Sequence, residues 1–148
     1  MNPFRERLGR IIHDAASFDE ACQFTVKILA KSVSHFNWVG IYMRQGEGLI
    51  LSAWDGPEAT EHTRIPIGQG ICGLAARRGE TVIVDDVNVD SRYLACFPHT
   101  RAEIVVPIFK DDRVIGEIDI DSDKQAAFTS EDRTLLEEVA THLAERWG

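Results

Sequence analysis

The sequence predicts an α+β protein, a central antiparallel sheet of about six strands with N- and C-terminal helices packed on one face. Three observations carry this. Apolar residues at helical spacing dominate the two ends of the chain, while strand-like runs separated by turn residues fill the middle. The longest such stretch, Arg101 to Asp121, reads as two strands joined by a tight polar turn. Its second half sets Asp119 and Asp121 between isoleucines, so the acids share one strand face and Ile118 and Ile120 the other.

The elements follow in order. Phe4, Leu8, Ile11, Ile12 and Ala15 form an amphipathic stripe. Ser17 and Glu20 carry a capping-box signature for a second helix, whose stripe is Cys22, Val26, Leu29, Val33 and Phe36. Cys22 on that stripe reads as a core thiol. Asn37 to Met43 has strand composition, and Leu49 to Trp54 is its hairpin partner across Gln45-Gly-Glu-Gly48. Glu58 to Thr63 is polar, a loop or lid. Arg64 to Ile67 is a short edge strand, since Pro66 cannot donate to a central ladder. Gly68-Gln-Gly-Ile-Cys-Gly73 precedes a short helix at Leu74 to Arg78, and Thr81 to Val84 is a strand. Asp85 to Ala95 is a loop or irregular helix leading to Cys96. After the long hairpin, Thr129 caps a last helix with Leu135, Leu136, Val139, Ala140, Leu143 and Trp147 on its apolar face.

Residues 1–148 are read as a single domain, with helices at 1–35, sheet and site loops at 36–128, and a final helix at 129–148. The chain is long enough to bury a real core. A net charge of −8 argues against nucleic-acid or anionic-membrane binding, because there is no basic surplus to neutralise phosphates. No apolar run approaches the roughly 20 residues of a membrane helix, and the N-terminus leads into no apolar signal core. Three cysteines, Cys22, Cys72 and Cys96, do not make a secreted disulfide framework and point to a reducing cytoplasm.

Three constellations carry chemistry. Gly68-x-Gly-x-x-Gly73 matches a dinucleotide fingerprint, but the helix after it is too short for a crossover and Arg64 and Pro66 spoil the strand before it. Cys72 and Cys96 read either as two buried thiols or as a reactive pair. In the first turn of a helix the dipole would lower the pKa of Cys72, and Cys96 lies near His99 and Arg101. A Cys96-x-x-His99 zinc site lacks a second ligand pair at metal spacing. Glu103, Asp119 and Asp121 read as a solvated face, an oxygen-rich cation site, or a cluster in which like charge raises one carboxyl's pKa. Such an acid beside a thiolate is what reducing an S–O bond requires.

Several segments together resemble the free methionine-(R)-sulfoxide reductases, which are GAF-domain enzymes. They are Asn37-Trp-Val-Gly-Ile-Tyr42, Gly70-Ile-Cys-Gly73, Ala95-Cys96, Glu103-Ile-Val-Val-Pro107 and Ile115-Gly-Glu-Ile-Asp-Ile-Asp-Ser122. The resemblance runs from about Phe36 to the final helix and implies a GAF-like fold. It implies that Cys96 is the nucleophile, that Cys72 resolves its sulfenic acid as a disulfide, and that thioredoxin reduces that disulfide, with no bound cofactor. It further implies that Glu103 and Asp121 hold and protonate the sulfoxide oxygen, Asp119 binds the substrate ammonium, and Trp38 and Tyr42 wall in the methyl group. Backbone N–H groups before Cys96 would take the carboxylate, and the protein would be a homodimer. Two departures stand out. His62 occupies the position where many members carry a lid cysteine, and Phe97 follows the nucleophile where Asp is frequent. The alternative is a non-catalytic GAF sensor that binds a small ligand or senses oxidants through Cys96.

The hairpin imposes a geometric condition. If it turns between Asp111 and Asp112, Glu103 falls opposite Ile120, on the wrong face for Asp119 and Asp121. A one-residue shift is therefore expected, either an odd-length turn or a bulge, with Pro107 the favoured place because it cannot donate to the ladder.

Overall fold

The computed structural model describes residues 3–90 and 97–148. Helices α1 (Pro3–Asp14) and α2 (Phe18–Ser32) lead into strands β1 (Trp38–Gln45), β2 (Gly48–Asp55) and β3 (Arg64–Pro66). Helix α3 (Gly70–Arg78), strand β4 (Val82–Val84) and a 3-10 turn at Val87–Val89 follow. The hairpin β5 (Ala102–Lys110) and β6 (Arg113–Ser122) precedes the last helix, α4 (Ser130–Arg146). The strands form one six-stranded sheet in the order β3-β2-β1-β6-β5-β4, antiparallel throughout. The expected α+β architecture is observed.

Local chemistry explains the helix ends. Pro3 opens α1, where a missing N–H costs nothing. Ser17 Oγ accepts from Glu20 N at 3.1 Å, while the Glu20 carboxylate reaches Ala16 N at 2.7 Å, one residue before the cap. At α4 the capping box is complete: Thr129 Oγ1 accepts from Asp132 N and Asp132 Oδ2 accepts from Thr129 N. Leu135 and Trp147 are only partly covered, and Leu136, Val139, Ala140, Leu143 and Ala144 bury the face of α4.

The sheet has two dry faces. On one, Val39, Ile41, Ile104, Val106, Ile118 and Ile120 pack in a continuous core with residues of α1, α2 and α4. On the other, Trp38, Tyr42, Leu49 and Val105 pack against Ile71, Cys72, Ala75 and Ala76 of α3. The helix α3 begins at Gly70, earlier than the sequence pattern places it, so the glycine-rich segment is its first turn. Gly73 allows this: a Cβ there would stand 2.6 Å from Pro66 O.

The hairpin resolves the register condition. Asp111 and Asp112 alone turn the chain, both at positive φ (51° and 63°), the two-residue geometry that Asp tolerates. Phe109 pairs with Val114 but Ile108 pairs with Gly116, leaving Ile115 as an extra residue. From there Glu103 falls opposite Asp121 and Val105 opposite Asp119. The expected shift is present, but at Ile108/Phe109 rather than Pro107, with the bulged residue on β6. Gly116 supplies the reason. β1 comes so close that a Cβ there would lie 2.5 Å from Tyr42 O, so the strand bends beside its only glycine.

Candidate active site

Register builds the site. β6 lies between β1 and β5, and its pairing sets Trp38 opposite Asp121, Gly40 opposite Asp119 and Tyr42 opposite Glu117. With Glu103 opposite Asp121, four carboxylates share the face beneath α3: Glu103, Glu117, Asp119 and Asp121. All four are buried, at 4, 0, 2 and 2 % exposure. The sequence reading named three and missed Glu117. The signal was the same alternation carried one step back along β6.

Burial shifts three of these acids, Glu117, Asp119 and Asp121, toward their protonated forms. It pushes the Glu117 carboxyl well above the usual carboxylate range, and Asp119 adds to the effect. Asp121 is likewise raised well above its range by burial, with Asp119 and Asp123 contributing. Asp119 is raised by burial, while contacts with Glu103 and Cys72 and the charge of His62 act the other way. Among the described residues, no hydrogen bond reaches either oxygen of Glu117 or of Asp121, or Oδ1 of Asp119. Unpaired buried carboxylates are costly and neutral carboxyls much less so.

Cys72 joins this group from α3. Its Sγ and one oxygen each of Glu103 and Asp119 lie within 4.8 Å of one another. Cys72 sits in the first turn of the helix, as expected, but the expected lowering of its pKa is overturned. Burial drives the thiol well up, and Asp119, Glu117 and Glu103 push it further. The dipole of a nine-residue helix is outweighed by three neighbouring acids and the loss of water. Cys72, Glu103 and Asp119 also offer a mixed donor set for a metal, but burial that raises the Cys72 thiol and the Asp119 carboxyl opposes the deprotonation a metal needs.

Aromatic residues close the site. The Trp38 ring lies over Gly40 and against Gly56, where Cβ atoms would come within 2.4 and 2.5 Å of it. Trp38 stacks on Trp54 at 6.3 Å and meets Phe97 at 5.9 Å. Two side chains of β1 tie down the covering segment 56–63, and Leu51 N of β2 donates to Thr63 O at its end. Trp38 Nε1 donates to Glu58 O at 3.1 Å, and Tyr42 Oη donates to His62 O at 2.7 Å. His62 is half-buried, and its charge acts on Asp119. Beside Asp121, a recess of about 10 Å³ lined by Trp38, Pro57, Phe97 and Thr100 has room for about one water. A far larger groove, about 500 Å³, lies near the β5–β6 turn by Lys110, Arg113 and Trp147, so cleft size does not mark the chemistry.

Cys96, the residue read as the nucleophile, lies outside the described residues. Its chain neighbour Phe97 is buried against Trp38. His99 is exposed and faces Asp123 at 3.6 Å. Cys22 is buried, and burial with Asp19 nearby pushes its thiol up to about 12, as suits a core residue.

A curled antiparallel sheet with helices on one face and a thiol–carboxyl site under a short helix on the other is a GAF-type ligand-domain arrangement, and the GAF domain family matches residues 17–147. The free methionine-R-sulfoxide reductase of Escherichia coli (strain K12) is 34% identical over 119 residues, 80% of this chain and 71% of that one. The structure of the free methionine-R-sulfoxide reductase from Neisseria meningitidis in complex with its substrate superposes with a TM-score of 0.89 at 36% identity. It matches 96% of this chain and 84% of its own. The type II free methionine-R-sulfoxide reductase from Thermoplasma acidophilum gives 0.81 at 37% identity, over 96% and 93%. The chain belongs to the free methionine-R-sulfoxide reductase family, GAF-domain oxidoreductases.

Proposed function

We propose that the chain reduces free L-methionine-(R)-sulfoxide to methionine, with no bound cofactor and with thioredoxin as external reductant. It does so as a single-domain cytoplasmic homodimer. The observation that supports this best is the cluster of Cys72, Glu103, Asp119 and Asp121 on one buried face beside Trp38 and Tyr42. Cys96 is the nucleophile. Its sulfur attacks the sulfoxide sulfur while Glu103 and Asp121 hold and protonate the oxygen. The S–S bond forms as the protonated oxygen departs as water; a water then attacks the Cys96 sulfur, the S–S bond breaks with methionine as leaving group, and Cys96 is left as a sulfenic acid. Cys72 then attacks that sulfur: the S–S bond forms, the S–O bond breaks, and the oxygen departs as water. Thioredoxin restores both thiols by exchange.

The other roles follow from charge and shape. Asp119 ionises against the substrate ammonium, whose charge offsets the cost of burial. Trp38 and Tyr42 wall in the methyl group. The acids keep Cys72 a thiol until a sulfenic acid is present to react with. A peptide-bound methionine sulfoxide lacks both charged termini and should be rejected by a factor on the order of 10⁴. The alternative is a GAF sensor that binds a small ligand or responds to oxidants through Cys96 without turnover. His62, standing where a lid cysteine is common, is the feature in its favour. Thioredoxin-coupled NADPH oxidation with the free (R)-sulfoxide separates the two. Steady turnover that vanishes in Cys96→Ser supports the reductase, and an inactive wild type leaves the sensor.

A further inference from the structure

A second set of donor atoms, unused by the reduction, lies where the first helix meets the last. His13, in the last turn of α1, converges with His142 and Glu145 of α4. His13 Nε2 is 3.1 Å from His142 Nδ1, with the rings perpendicular. Glu145 turns one oxygen toward each ring, 3.8 Å from His13 Nε2 and 3.9 Å from His142 Nδ1. Two ligands on a tetrahedral zinc, each about 2.0–2.1 Å from the metal, stand about 3.3 Å apart. One ligand atom each of His13, His142 and Glu145 lie within 4.8 Å of one another, with the two ring nitrogens already at 3.1 Å, so a small adjustment of the Glu145 carboxylate completes one face of such a site.

The surroundings hold this arrangement. Gly9 is an interior helix residue, unfavourable there relative to alanine. A Cβ at Gly9 would come within 2.9 Å of His142 Nε2, so the glycine makes room for the ring. That same Nε2 lies 3.9 Å from Glu138 Oε1. Glu138 is gripped by Arg5, through Nε at 2.6 Å and through Nη2. At 3.9 Å the approach of Glu138 to His142 is an electrostatic contact and not a hydrogen bond, but it places a carboxylate on the side where a ligating imidazole's far N–H is commonly supported. Besides Arg5, which is taken up by Glu138, Arg146 stands near, its Nη1 donating to Ile12 O and His13 O. Glu138 and Glu145 oppose it, and the chain's net charge of −8 favours cations generally.

The geometry points to a divalent transition-metal site of the zinc class, formed by His13, His142 and Glu145, that clamps α1 to α4. Its ligands come from opposite ends of the chain, so an ion bound only by the folded protein stabilises the whole fold by mass action. The competing explanation is a single proton shared between the two rings.

Calorimetric titration of the full chain with zinc chloride tests it. One saturable site is expected, together with a zinc-dependent rise in melting temperature. His13→Gln and His142→Gln should each weaken binding tenfold or more while melting like the wild type in the absence of metal. Cys72→Ser/Cys96→Ser should bind as the wild type does. Cobalt should give a ligand-field spectrum without a thiolate charge-transfer band, a readout that holds even if a histidine variant folds poorly. No saturable binding below millimolar zinc overturns the site. So does wild-type affinity in both histidine variants, or loss of binding in the cysteine variant, which would move the ion to the acid cluster.

Discussion

On one side of β6, Ile118 and Ile120 are fully buried in the core closed by α1, α2 and α4; on the other, Glu117, Asp119 and Asp121 are buried to within 2 % under α3 and the 56–63 segment. Adjacent residues of one strand thus experience the same loss of water with opposite consequences. The isoleucines gain stability from it. The carboxyls are instead shifted toward holding protons, Glu117 and Asp121 both raised by burial well above the usual carboxylate range. The face closed by α1, α2 and α4 is apolar throughout, while the face under α3 combines an apolar cluster with carboxyls whose burial costs stability at neutral pH.

Substitutions on the two faces should separate in kind. Ile120→Asp places an unpaired acid in the apolar core. Its effective penalty of several kcal/mol, against a typical stability of about 5–15 kcal/mol, should leave little folded protein by circular dichroism. Asp121→Asn should fold with an unchanged or raised melting temperature, yet lose activity by about 10²–10⁴, the worth of a positioned proton donor. Wild-type activity in Asp121→Asn would show that this face does no chemistry.

Smaller changes sharpen the contrast. Ile118→Ala should cost about 2–5 kcal/mol in denaturant unfolding without altering the turnover of the molecules that remain folded. Cys72→Ser should give one methionine per chain in a quench experiment without reductant and then recycle slowly; full multi-turnover activity would remove Cys72 as the resolving thiol.

The smallest effect concerns pH. The raised pKa of Glu117 means the folded state binds its proton more tightly than the unfolded chain does. Its favourable contribution is present below the unfolded value of about 4 and is lost as pH rises through the raised folded value. Glu117→Gln should flatten this decline in melting temperature between acid and neutral pH. An unchanged slope would mean that Glu117 is ionised in the fold.

The sequence carried much of this, unevenly. The period-two pattern of β6 was enough to put Asp119 and Asp121 on one face, and the face of Glu103 could be reasoned out because a hairpin's register is arithmetic. The site of the shift was not legible, because Gly116 is fixed by the approach of β1, a contact distant in sequence. Glu117 was visible in the pattern and passed over. The state of Cys72 could not be read locally. Helix position argued for a thiolate, but the burial that reverses it, and the acids that add to it, come from packing α3 against β5 and β6. Likewise His13 and His142 were unremarkable until the fold brought together residues 129 positions apart.

The central claim is that the acid face stores protons beside a thiol. Carbon-13 NMR titration of the aspartate and glutamate side chains tests it most directly. In the ligand-free protein at neutral pH, the carboxyl carbons of Glu117 and Asp121 should resonate as protonated acids while solvent-exposed carboxylates are ionised. The Glu117 signal should vanish in Glu117→Gln. Finding both groups ionised at neutral pH would contradict the account.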